Sequence, residues 1–260
     1  LCNADGGVID DLVVSRLANE HFLVVANAAN APAVYRELAA RADGFSANVD
    51  DQSAETALIA VQGPAAQDIV QSLVPAGQVE AVAELKYYAV TRAVVAGIDV
   101  LLARTGYTRG GGFGLYVPNA QSVALWRALL AATTERDGVP AGLACRDTLR
   151  LEAGMALYGH ELTLDTNPYE AGLGKVVRLN KAFVGRDALQ ALSEQAPQRV
   201  LVGLAGTGLG LIPMLGSALS AVPALLVALY LPFPTVLWVL IFFIVVQNVF
   251  TRDEVERIKS

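Results

Sequence analysis

The front three quarters of this 260-residue chain predict an α+β fold, and three observations carry that reading. Strand-like runs at residues 56–61, 87–95, 98–103 and 113–117 follow one another with a single helical stretch interposed. Helix formers with apolar side chains at roughly helical spacing fill 31–40 and 120–134. The resulting order of strand, helix, several antiparallel strands and helix is that of a split βαβ, ferredoxin-like arrangement, not of a doubly wound sheet.

Element by element, Leu1–Asn3, the Gly6-Gly7 turn and Val8–Val14 read as a hairpin, and His21–Ala26 as a further strand. A helix follows over Ala31–Ala40. Thr56–Val61 is a strand; Gln62-Gly63-Pro64 then opens a helix through Ile69 and Leu73. Strands near Tyr87–Val95, Ile98–Ala103 and Phe113–Val117 precede a helix from Ala120 to about Thr134, whose apolar side is Val123, Leu125, Leu129 and Leu130. Gly142–Ala153 has the composition of one more helix.

Charge divides the chain. Of 19 basic and 25 acidic residues, 16 and 22 lie in residues 1–199, and no charge falls between Arg199 and Arg252. The net charge of −6 and scattered bases argue against a nucleic-acid partner. Cys2 and Cys145 form no paired motif, so neither a disulfide framework nor a thiolate metal site is expected, and the front part reads as a domain of a reducing compartment, the cytoplasm. His21 and His160 are too few for a metal cluster. The chain opens on Leu1 with no secretory signal, as a piece of something longer would.

Several residues are candidates for chemistry. Asp10 and Asp11, adjacent in the expected strand, would point to opposite faces, leaving one carboxylate among apolar groups. It is either an edge-strand acid bonded to a turn or a carboxylate facing a ligand. The glycine-dense run Arg104–Gly114 lies between two strands, where a flexible hairpin loop and a phosphate site are both open readings. Arg146 and Arg150, four apart on one helix side, are either salt-bridged to Asp147, Glu152 or other acids, or held for a carboxylate-bearing ligand. His160 reads as a surface or turn histidine, and Cys145 as a small buried filler.

These segments resemble a known family. GGVIDDLVV (Gly6–Val14), VVANAAN (Val24–Asn30), ETALIAVQGP (Glu55–Pro64), LKYYAV (Leu85–Val90), RTGYT (Arg104–Thr108), PAGLACRDTLRLEAG (Pro140–Gly154), LYGHEL (Leu157–Leu162), NPYEAGLG (Asn167–Gly174) and FVGRDAL (Phe183–Leu189) together resemble the T protein of the glycine cleavage system, an aminomethyltransferase. The resemblance runs from residue 1 to about 204. It implies an incomplete aminomethyltransferase-like fold, with 1–54 and 139–204 as a partial first domain and 55–138 as the ferredoxin-like domain. It also implies an enzyme that takes the aminomethyl group from the lipoyl arm of the H protein, releases ammonia and forms 5,10-methylene-tetrahydrofolate. Tetrahydrofolate is then the co-substrate, with no metal.

By the same resemblance Asp11 is the essential aspartate beside the folate nitrogens. Asn27 matches a pterin-contacting asparagine, Tyr87 and Tyr107 match pocket aromatics, and Arg146 matches a folate-binding arginine. Asp10 gains no role from it. The family pattern Gly-Glu-Asp-Gly-Phe-Glu is here Arg109-Gly110-Gly111-Gly112-Phe113-Gly114, so the glutamate that would hold the donor edge of the pterin is Gly114. The family's N-terminal segment and C-terminal barrel-like domain are also expected to be missing. These departures imply impaired or absent activity.

The uncharged stretch from Gly208 to Phe250 carries about 23 residues before a Leu231-Pro-Phe-Pro turn and about 16 after it, lengths suited to a transmembrane hairpin over 205–251, ahead of a charged tail at 252–260. It is similar to the autoinducer-exporter family of permeases. That similarity implies a chimera, with the bilayer as a partner through 209–250. The alternative function is a membrane permease fragment carrying a non-catalytic, folate-binding-like passenger domain.

Overall fold

The computed structural model of the chain describes residues 1–200 apart from Arg109. They belong to the first of two compact units, Leu1–Gly203. The expected transmembrane hairpin, charged tail and permease-like stretch lie outside the described residues. Among the described residues no helix is long and apolar enough to cross a membrane.

A two-stranded antiparallel ribbon, β1 (Val13–Ala18) and β2 (His21–Val25), leads into helix α1 (Ala31–Ala42), with Pro32 in its first turn, where its missing N–H costs nothing. β3 (Thr56–Gln62), α2 (Ala66–Ser72), α3 (Val79–Ala83), β4 (Val90–Val95), β5 (Ile98–Ala103), β6 (Gly112–Pro118) and α4 (Ser122–Thr134) follow, and then α5 (Leu143–Glu152) and α6 (Arg186–Ser193). β3, β6, β5 and β4 form one four-stranded sheet in that spatial order, every neighbouring pair antiparallel.

Alternation sorts the sheet into two faces. Ile59, Val61, Ala93, Val95, Val100, Leu102, Phe113, Leu115 and Val117 point to one side, where Ile69, Val70, Leu125 and Leu129 of α2 and α4 complete the main core. On the other side Leu58, Tyr116, Leu101 and Arg92 stand in one cross-strand row, and Ala60, Gly114, Ala103 and Val90 in the next. A smaller cluster of Val8, Leu162 and Ala171 packs the opening residues against the segment after α5, with the Val8 N–H donating to the Thr166 carbonyl at 3.0 Å.

The α+β class holds, and two details differ from expectation. In a split βαβ unit β3 and β4 would be parallel; three antiparallel steps make them antiparallel here. The cause is the connection at 104–111, a loop where a ferredoxin-like order needs a second helix, so β6 folds back beside β5 and β3 takes the sheet edge. The opening hairpin is also different. Cys2 and Val8 make an isolated antiparallel bridge, and the first strand starts only at Val13. Asp10 and Asp11 therefore lie in irregular chain ahead of β1. At Gly7 a Cβ would sit 2.0 Å from the Leu164 carbonyl oxygen, so this turn reaches its partner segment only with glycine.

Candidate active site

Once freed from strand alternation, the two aspartates sit at different depths. Asp10 is wholly buried and Asp11 partly so. Asp10 Oδ1 accepts the Asp11 N–H at 3.0 Å and the Asn27 Nδ2 amide at 2.7 Å, while its Oδ2 accepts the Asn27 N–H at 3.1 Å. Asn27 Nδ2 also donates to Asp11 Oδ1 at 2.7 Å. Asn27 is placed by β2, which ends at Val25 and turns back toward the opening segment; Asn30, three residues on, donates from Nδ2 to the Ile9 carbonyl at 2.7 Å. The expected choice between two strand faces is thus corrected: one acid is buried behind and one is presented.

Burial pushes the Asp11 carboxyl above the ordinary aspartate range; the Asn27 amide opposes that rise, and the charge of Asp10 adds to it. A raised carboxyl at a half-buried position can exchange a proton with a bound amine or nitrogen heterocycle. Tyr107 stands close enough that Asp11 is among the groups raising its phenol, which burial above all pushes up to about 12. Its hydroxyl donates to the Ala156 carbonyl, which fixes the ring. The Arg146 guanidinium lies over that ring, 4.8 Å from its centroid.

The two candidate arginines of α5 divide the readings between them. Arg150 is buried and paired with Asp147 at 2.7 Å and Glu161 at 2.5 Å, and it also donates to the Met155 carbonyl, so it is structural. Arg146 is exposed and makes no ion pair among the described residues, so its guanidinium is not spent on an acid there. Asp11, Asn27, Tyr107 and Arg146 are therefore brought together. Tyr87 is not joined to them by any contact: half exposed, it meets Tyr88 edge-on with ring centroids 4.4 Å apart. Its turn is nonetheless tied to the Tyr107 loop by the Tyr88 N–H, which donates to the Arg104 carbonyl at 2.8 Å.

Gln62 was not singled out by sequence. From the end of β3 its Nε2 donates to the Thr105 carbonyl at 3.2 Å, and its side chain fills the space that a Cβ at Gly106 or Gly112 would take. The available signal was a polar residue closing an apolar strand beside Gly63-Pro64. The glycine-rich loop is thus packed against a glutamine, and β6 follows it, with no helix N-terminus for a phosphate. Cys145 is exposed, a correction of the expected buried filler, because it lies on the outer side of α5. His160 is exposed in a turn. No group of three His, Cys, Asp or Glu among the described residues could hold a metal ion.

Comparison with known proteins adds a second line of observation. The family described as GCVT N-terminal domain matches residues 1–181. An aminomethyltransferase of Streptomyces avermitilis is 52% identical over 213 residues, covering 80% of this chain and 56% of its own length. One from Saccharopolyspora erythraea is 51% identical over 206 residues, covering 78% and 55%. Among solved structures, the glycine cleavage system aminomethyltransferase T of Bartonella henselae superposes with a TM-score of 0.64 at 36% identity, covering 75% of this chain and 52% of that one. The chain spans about half the length of these relatives.

Proposed function

The chain belongs to the GCVT N-terminal domain family, and from that membership we propose that it acts as a tetrahydrofolate-dependent aminomethyltransferase of the glycine cleavage system. Its substrates are the aminomethyl group carried on the lipoyl sulfur of the H protein and tetrahydrofolate. Its products are ammonia, the reduced lipoyl arm and 5,10-methylene-tetrahydrofolate. The observation that carries the reading is the presented Asp11 carboxyl, raised by burial and held by Asn27 beside Tyr107 and Arg146.

Each residue then has a physical task. Asp11 orients the folate nitrogens and exchanges the proton that accompanies carbon transfer. Asn27 contacts the pterin, and Tyr107 supplies an apolar wall while supporting the Arg146 guanidinium. Arg146 pairs with a folate carboxylate through its fork of donors. Tyr87, on the turn tied to the Tyr107 loop through Tyr88, offers a further aromatic face to the same ligand. Gly114 in place of a glutamate weakens folate binding, since a missing charged acceptor for buried donors costs about 1.5–3 kcal/mol. Incubation with aminomethyl-loaded H protein tests the proposal: ammonia and methylene-tetrahydrofolate should appear together, and only when tetrahydrofolate is present. Folate binding without either product would reduce the chain to a binding module.

A second reading, a permease fragment with this unit as passenger, draws on the absence of charge between Arg199 and Arg252. Carbonate extraction of membranes from cells expressing the chain tests it, since release into the soluble fraction would overturn it.

A further inference from the structure

Asp10 is a carboxylate withdrawn completely from solvent with no ion-pair partner among the described residues. Three neutral donors satisfy it, and two of them belong to Asn27. A buried charge is costly to a fold unless donors are directed at it, and here those donors lead straight to the presented acid.

The geometry of Asn27 fixes what Asp10 does. Its Nδ2 donates at 2.7 Å to Asp10 Oδ1 and at 2.7 Å to Asp11 Oδ1, so both amide protons are spent on carboxylates. With both acids ionised, the reversed amide would turn its carbonyl oxygen onto two carboxylates with no donor between them. One amide orientation is therefore locked, and it leaves Asn27 Oδ1 and Asp11 Oδ2 as neighbouring acceptors. We propose that Asp10 is a positioning residue: acting through the Asn27 amide, it sets Asp11 and Asn27 as a fixed pair of acceptors selective for a ligand edge carrying two N–H donors. This rests on the folate reading given under Proposed function and deepens it, because the N5–H and N10–H groups of tetrahydrofolate, the nitrogens that receive the carbon, present two such donors on one side.

An amide cannot replace Asp10 silently. Both of its oxygens accept, so Asp10→Asn sets an N–H₂ against either the Asn27 N–H or the pair of donors at Oδ1.

The test uses the full chain and two readouts. In the unsubstituted protein the Asn27 side-chain amide protons, assigned by their loss in Asn27→Ala, should exchange at least about tenfold more slowly than those of exposed Asn19, as doubly bonded protons do. In tetrahydrofolate titrations Asp10→Asn and Asn27→Ala should each weaken binding by about tenfold, one charged hydrogen bond's worth. Asp10→Asn added to Asn27→Ala should cost nothing more, because the relay is already cut. A merely structural role for Asp10 predicts the opposite, additive losses, and additive losses would overturn the proposal. Fast exchange of the Asn27 protons would overturn it as well, and that measurement does not depend on Asp10→Asn folding. A chain that binds no tetrahydrofolate overturns the proposed function, whereas protected Asn27 protons in that chain still support the relay.

Discussion

A single side chain that the family pattern carries and this chain lacks gives a direct expectation for folate binding. Gly114 lies in β6 between Ala60 and Ala103, so three neighbouring positions on the side of the sheet away from α2 and α4 carry at most a methyl group. A Cβ at Gly114 would meet Leu58 Cδ1 at 3.3 Å and Thr105 Cγ2 at 3.6 Å; both are ends of side chains, and Leu58 is half exposed and able to give way. Gly114→Glu should therefore fold and strengthen tetrahydrofolate binding by about tenfold or more, read in a spectroscopic titration. An unchanged affinity would mean that the donor edge of the pterin is held elsewhere. This substitution was legible because it breaks a family pattern along a strand. The Asp10–Asn27 contact was not, because it joins residues seventeen apart through a turn that only the folded path of β2 defines. Local alternation gave the wrong answer there: Val8, Ile9 and Leu12 look like a continuation of the strand that starts at Val13, yet hydrogen bonds from Val8 to Thr166 and from Ile9 to Leu1 tie the first two to neighbours other than β2.

At the scale of elements, Arg150 is the one buried residue of α5. Arg150 reaches from its last turn to Glu161, whose Oε2 also accepts the Leu157 N–H at 3.0 Å, so this pair links the helix that carries Arg146 to the segment after it. Burial opposes the Glu161 charge, but the Leu157 N–H and the Arg150 guanidinium outweigh it and hold the carboxyl below its ordinary value near 4.5. A carboxyl depressed by folding adds stability that is complete above its unfolded value and is lost as pH falls through its folded one. Glu161→Gln should thus cost about 1–2 kcal/mol in urea unfolding at pH 7, a modest figure because Glu161 is a fifth exposed. As pH falls below the depressed folded-state value the variant and the original should converge; a gap that persists there would assign the loss to packing. Helices α1 and α4 and strands β3, β5 and β6 were legible from their periods, since each buries one continuous stripe or alternating face. The five-residue α3 was not, being too short to show a helical period.

For the molecule as a whole, the four convergent residues come from widely separated places: Asp11 and Asn27 flank the first ribbon, Tyr107 sits in the loop between β5 and β6, and Arg146 rides on α5. Sequence could name all four through a resemblance, but their meeting depends on the chain after α4 returning to the opening segment, where Val8, Leu162 and Ala171 close a core. That arrangement makes a prediction about pH. Proton exchange by Asp11 requires its carboxylate form, and burial keeps its carboxyl above the ordinary aspartate range. The rate of methylene-tetrahydrofolate formation should then rise with pH through a titration displaced upward from a normal aspartate, and level off once Asp11 is ionised. Asp11→Asn preserves the shape and the Asn27 contact at Oδ1 while removing the titrating group. It should lower the rate by about a hundredfold and flatten that acid limb, whereas tetrahydrofolate binding should weaken far less. An acid limb that survives in Asp11→Asn would transfer the proton role to another group, and equal losses in binding and rate would make Asp11 a binding residue alone.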